Sequence, residues 1–200
     1  MSDSTLPLNA TWTFYYTSRK EKDYHINYKD RLISVAEFST MEEFLKNYMK
    51  IKPINEINHN CELSFFKKGY QPLWESCPNS GIWIFRFKRT DDLKDVHKQW
   101  EKIIFSLLTE KFNEVHILGT TLSIRSRENL IEIWFNYFHR ESIKNSVLNI
   151  IKTLFKEYKN DAIFYFKDVN QSLNEGSTLR NVETYLTSNA SGQTRKYTFK

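Results

Sequence analysis

The chain has 200 residues and a mass of 24.0 kDa, enough for one domain with a sizeable core. Hydrophobic residues make up 40% and charged residues 26%, while five glycines and four prolines exclude collagen-like and Pro/Gly-rich architectures. A net charge of +5 with 16% aromatics suits a partner offering phosphates and bases but does not require one, because solvated lysines give the same excess.

Residues 1–10 read as a flexible arm. From Trp12, the run Trp-Thr-Phe-Tyr-Tyr-Thr alternates bulky and small side chains, the pattern of a half-buried strand. Residues 18–30 are charged and polar and predict a loop; residues 32–38 predict a second strand. Thr40-x-x-Glu43 is a capping-box pattern opening a helix, whose Met41, Phe44, Leu45, Tyr48 and Met49 share one face. Residues 63–66 form a short strand, and Gly69 and Pro72 mark the next segment, with Trp74 and Glu75, as a loop. A turn at 78–81 leads to a strand at 83–87 and a long helix at 91–108, with Asp91 and Asp92 at its positive end. Strands at 117–125 and 130–136, joined by a polar turn at 126–129, a third helix at 141–158 and a strand at 162–167 follow. Beyond Asn170 the chain is rich in Ser, Thr and Asn and is expected to be mobile. The predicted class is α+β, an antiparallel sheet with helices on one face and the opposite, concave face open to a ligand. The predicted organisation is an arm over 1–10, one domain over 11–168 and a tail over 169–200.

Two cysteines, Cys61 and Cys77, make a disulfide framework unexpected and a reducing compartment the default. The polar first residues lack the apolar stretch of a signal peptide, no run reaches the roughly 20 residues of a membrane span, and zinc-ligand spacings are absent. A cytoplasmic location is expected, with a nuclear one open, and no membrane partner. The five histidines are scattered, and no Walker loop, GxSxG or HExxH occurs. No enzyme, metal or cofactor is therefore expected.

Trp12, Trp83 and Trp100 fall on apolar phases and read as core. Trp74 lies in a loop before an acid; it either stacks on a ligand or folds back as a lid on the core. Trp134 shares its strand phase with Leu130 and Glu132, opposite Ile131 and Ile133, which leaves its side open. Arg125 and Arg127, two apart on a predicted strand, either form a solvated face or clamp phosphates.

The segment 63–75, Leu-Ser-Phe-Phe-Lys-Lys-Gly-Tyr-Gln-Pro-Leu-Trp-Glu, resembles the cap-binding loop of the translation initiation factor 4E family. Pro7-Leu8 before Trp12, the run from Phe38 to Phe44, Trp83, Trp100, the strand from Gly119 to Arg125, and Ile131-Glu-Ile-Trp134 follow the family's order over residues 6–167. Tyr28, and the run from Asn9 to Arg19, are similar to the divergent 4E homologous protein subclass.

The resemblance implies a curved antiparallel sheet backed on its convex face by three helices, in a protein that binds the 7-methylguanosine cap of messenger RNA on the concave face, in translation initiation or its repression. A methylated, cationic guanine gains stacking and cation–π attraction between two aromatic faces. Trp74 matches one wall and Tyr28 the other, with Tyr24 the second candidate. Tyr is smaller than the Trp usual there, so weaker cap binding is expected. Glu75 matches the guanine reader, Arg125 and Arg127 the phosphate contacts, and Trp134 the residue beside the N7-methyl. Leu130 stands where a phosphate-binding lysine is common, and Lys167 reads as a solvated lysine. On the convex face, Pro7, Leu8 and Met41 match a groove for a partner's Tyr-x4-Leu-hydrophobic helix, from a factor 4G-like or 4E-binding protein. Leu45 replaces that groove's usual Trp. A monomer is expected. The alternatives are a single-stranded RNA binder or an adaptor without cap selectivity.

Overall fold

The computed structural model describes residues 5–18, 25–57, 60–88, 90–112, 115–158, 162–187 and 194–197. Among them lie nine strands: β1 (Pro7–Ser18), β2 (Leu32–Thr40), β3 (Cys61–Lys67), β4 (Ser80–Lys88), β5 (Ile117–Ile124), β6 (Glu128–Asn136), β7 (Ala162–Asp168), β8 (Glu183–Thr187) and β9 (Thr194–Tyr197). They form one curved antiparallel sheet in the order β2-β1-β3-β5-β6-β4-β7-β8-β9. Three long helices, α2 (Met41–Tyr48), α3 (Leu93–Leu108) and α4 (Glu141–Leu154), are accompanied by two short ones, α1 (Tyr28–Arg31) and α5 (Val169–Glu175).

Strand alternation divides the molecule into two apolar layers. Trp12, Phe14, Phe65, Trp83, Phe85, Ile131, Ile133 and Phe135 point to one face. Phe44 of α2, Trp100, Ile103 and Ile104 of α3, and Val147 and Ile151 of α4 pack on that face to make the main core. Trp12 stacks on Phe65 with ring centroids 4.5 Å apart. The opposite phase, including Tyr15, Phe66, Ile82, Ile84, Leu130 and Trp134, forms a smaller cluster on the concave face. Trp134, whose phase the sequence left open, therefore faces away from the long helices. No helix among the described residues is long and apolar enough to cross a membrane.

Several expectations are corrected. The chain from Pro7 is already strand, and Leu6 N–H donates to the Glu42 carboxylate at 3.0 Å, so the end of the arm is held against α2. Residues 169–187 and 194–197 are not a loose tail: α5 covers part of the concave face, and β8 and β9 extend the sheet beyond β7. The third long helix ends at Leu154 rather than 158. The α3 helix starts at Leu93, where the Asp92 carboxylate accepts from Lys94 N–H at 2.8 Å. Asp91 stands outside it, accepting from Tyr158 OH at 2.7 Å.

Candidate functional site

The concave faces of β3, β5 and β6 carry a polar row. Glu62 opposes Ser123, Ser64 opposes Thr121, and Thr121 opposes Glu132 across the strand pairs. Glu62 and Glu132 are almost fully buried. A carboxylate at such depth costs several kcal/mol unless it is hydrogen-bonded. Glu62 accepts from Ser123 Oγ at 2.8 Å and from Tyr28 OH at 2.8 Å. Glu132 accepts from Trp134 Nε1 at 3.1 Å. Glu62, Thr121 and Glu132 floor a cavity of about 1020 Å³, which Tyr28, Trp74, Glu75, Arg125, Trp134 and the loop 176–179 also line.

Tyr28 opens α1, a single helical turn rather than the expected loop. Burial first, then the Glu62 charge, raises its phenol far above the ordinary tyrosine value. The phenol remains a neutral donor to Glu62, and its half-buried ring borders the cavity. Tyr24 lies outside the described residues.

Trp74 begins a turn of 3-10 helix, Trp74–Ser76, that the sequence read as loop. Cys77 N–H donates to Trp74 O at 3.1 Å, and Gln71 N–H donates to Ser76 Oγ at 3.0 Å, which fixes the turn. The indole is half-buried: it packs beside the concave cluster and lines the cavity. Glu75 is exposed at the rim. Trp134 is buried, with Phe66 edge-on at 5.7 Å. Gly119 makes that arrangement possible, because a Cβ there would lie 2.4 Å from the Phe66 ring.

Arg125 falls one residue beyond the end of β5 and Arg127 sits in the turn before β6, so the two do not share a strand face as expected, although a turn after 125 is where the polar run placed it. The strand alternation that would align them therefore ends at Ile124. Arg125 lines the cavity, its Nη2 3.9 Å from Glu62 Oε1. Arg127 is exposed on the turn and is not among the residues lining the cavity. Leu130 is buried in the concave cluster. Lys167 is fully buried rather than solvated, donating to the Glu175 carboxylate and to Arg180 O at 2.5 Å.

On the other face the arm and α2 meet. Pro7 pairs with Thr40, and Met41 N–H donates to Leu6 O at 2.9 Å. Leu8 and Met41 lean on the core. Leu45 is 41% exposed, as is Phe105 of α3 at 39%, leaving an apolar surface between the helices.

Sequence reasoning missed Glu62, Glu132, Arg31 and the loop 176–179. The two acids were detectable as polar residues on the strand phase opposite the core. The loop was not, because its composition matched a tail.

The family model for eukaryotic initiation factor 4E matches residues 7–184. The chain belongs to the eukaryotic initiation factor 4E family. Translation initiation factor 4E1 of Drosophila melanogaster is 26% identical over 181 residues, covering 89% of this chain and 68% of that protein. Initiation factor NCBP of Arabidopsis thaliana is 27% identical over 187 residues, covering 90% and 81%. Among solved structures, the schistosome factor 4E in complex with m7GpppA and a 4E-binding protein superimposes with a TM-score of 0.74 at 23% identity. That match covers 90% of this chain and 95% of the schistosome one and shows the 4E fold.

Proposed function

We propose that this factor 4E family member binds the 7-methylguanosine cap of messenger RNA in the cytoplasm and acts, without catalysis, in translation initiation or its repression. The observation that carries the reading is the convergence of Tyr28, Trp74, Glu75, Arg125 and Trp134 on one cavity, with two buried carboxylates in its floor. In this reading Trp74 and Tyr28 stack on the two faces of the purine. N7-methylation makes that ring cationic, so each aromatic face adds cation–π attraction to stacking. The buried charges of Glu62 and Glu132 add attraction for the same cation. Glu75 accepts from the guanine N1–H and N2 amine, a donor pair that adenine lacks. Trp134 borders the N7-methyl. Arg125 takes the proximal phosphate and Arg127, farther out on the turn, the distal ones. The schistosome relative's m7GpppA complex supports the choice of ligand.

The convex surface around Leu8, Met41 and Leu45 is the proposed seat for a partner's Tyr-x4-Leu-hydrophobic helix, with Pro7 at its edge. The same relative's complex with a 4E-binding protein supports this.

Tryptophan fluorescence titration with m7GTP and with GTP tests the cap reading. Wild-type protein is expected to prefer m7GTP, with Trp74→Ala and Glu75→Ala losing the preference and Tyr28→Ala weakening it. Equal affinity for both nucleotides would instead assign a single-stranded RNA binder.

A further inference from the structure

Beyond those roles, the geometry points to Arg31 as a second cation for the phosphate tail, supplying from the Tyr28 wall the charge that Leu130 does not supply from the floor. This rests on the cap reading. Leu130 is 1% exposed and sealed in the concave cluster, so no cation projects from that position. The one arginine that β5 and its turn bring into the cavity, Arg125, stands beside the Glu62 carboxylate. Glu62 thus offsets part of the charge that a triphosphate would meet there.

Arg31 closes α1 three residues after Tyr28, the spacing that puts two side chains on one helical face. Its guanidinium carbon lies 5.7 Å from the Tyr28 ring centroid, and the residue lines the same cavity. Nη1 donates to Ser18 O at 3.1 Å, which holds the group in place. Nε is buried and has no hydrogen-bond partner among the described residues; the same is true of Arg125 Nε. A guanidinium carries five N–H donors in a rigid fork, so a group held at one end keeps donors for an anion.

The electrostatics give the placement a sign. A cation beside the Tyr28 ring competes for the π-density that a cationic purine would use. On its own, Arg31 therefore opposes the methylated base. It helps only a ligand whose negative charge follows the base closely, which is the chemistry of a cationic nucleoside with a polyphosphate tail. Arg31 would then make affinity depend more steeply on phosphate number than stacking alone does.

Fluorescence titration of the full chain with 7-methylguanosine, m7GMP, m7GTP and GTP, on wild type, Arg31→Gln and Arg31→Lys, decides the point. Arg31→Gln is expected to lose m7GTP about tenfold more than it loses the nucleoside, with Arg31→Lys recovering part of the difference. The slope of log affinity against log salt for m7GTP should become shallower by up to about 1. Equal losses for nucleoside and triphosphate would overturn the inference and leave Arg31 as a support for Tyr28. If wild type holds GTP as tightly as m7GTP, the cap reading fails. An Arg31→Gln loss on GTP would still sustain the anion site, and no loss would overturn it. Wild type that binds none of the four ligands overturns both.

Discussion

The Glu62 carboxylate accepts from Tyr28 through one oxygen and from Ser123 through the other, with the Arg125 fork 3.9 Å away. One buried acid thus sets both the aromatic wall and the nearest phosphate contact. Tyr28→Phe keeps the ring but removes the tether, one hydrogen bond to the buried Glu62 carboxylate. The expected cost is about 1–3 kcal/mol in urea unfolding, with weaker m7GTP binding in titration. Tyr28→Trp enlarges the stacking face and should tighten m7GTP by about 0.5–1 kcal/mol, roughly two- to fivefold. Burial also pushes the Cys77 thiol up to about 12 and the Cys61 thiol up to about 11, as it raises the Tyr28 phenol. In each case the native state keeps a proton that the unfolded chain releases. Their stabilisation is complete below the ordinary values of 9.0 for thiol and 10.0 for phenol and declines as pH rises beyond them. The urea midpoint should therefore fall above about pH 9, and above pH 10 it should fall less steeply in Tyr28→Phe than in wild type. Residue matching located Tyr28 and Trp74 in the sequence, but not what fixes them, because the contact between Tyr28 and Glu62 spans 34 positions.

The α2 helix is an element whose start was written locally. Thr40 Oγ1 accepts from Glu43 N–H at 3.3 Å, and the Glu43 carboxylate reaches back to Ser39 N–H at 2.9 Å. Thr40→Ala should cost about 1 kcal/mol in chemical denaturation, since it leaves an N-terminal N–H of the helix without that partner. The same helix exposes Leu45, a smaller anchor than an indole would be. Leu45→Trp is expected to tighten binding of a labelled Tyr-x4-Leu-hydrophobic peptide in an anisotropy titration; an unchanged affinity would place the partner elsewhere. The long helices and the strands from β1 to β7 were legible because periodicity and alternation are properties of contiguous residues. Arg125 reads as the last strand residue because the strand pattern runs up to Ile124, whereas the polar residues from Ser126 onward mark the turn that holds Arg127. The one-turn α1 is too short to show a period, and α5 and β8 take their order from distant partners.

Those distant partners matter most for the molecule as a whole. Lys144 of α4 is 1% exposed, lies 4.5 Å from the Phe166 ring, and donates to Glu183 of β8 at 3.0 Å. Its other carboxylate, Glu141, is largely in solvent. Lys167, fully buried, is satisfied by Glu175 and Arg180 O. Two buried ammonium groups thus depend on residues that composition alone assigned to a mobile tail. Their Ser/Thr/Asn-rich sequence lacks the apolar surface to order itself and is held by strand pairing and charge. Glu183→Ala should cost about 2 kcal/mol, below the 3–5 of a fully buried pair because Glu183 is 32% exposed. For a chain of this size that corresponds to a melting point lower by roughly 4–8 °C. Ending the chain after Asp168 removes the carboxylate partners Glu183 and Glu175, α5 against the Trp74 turn, and the cavity loop 176–179. The shortened protein should therefore melt well below Glu183→Ala and lose m7GTP binding together with stability. A truncation melting within a few degrees of the full chain would show instead that the sheet is complete at β7 and that the two lysines find water when their partners leave.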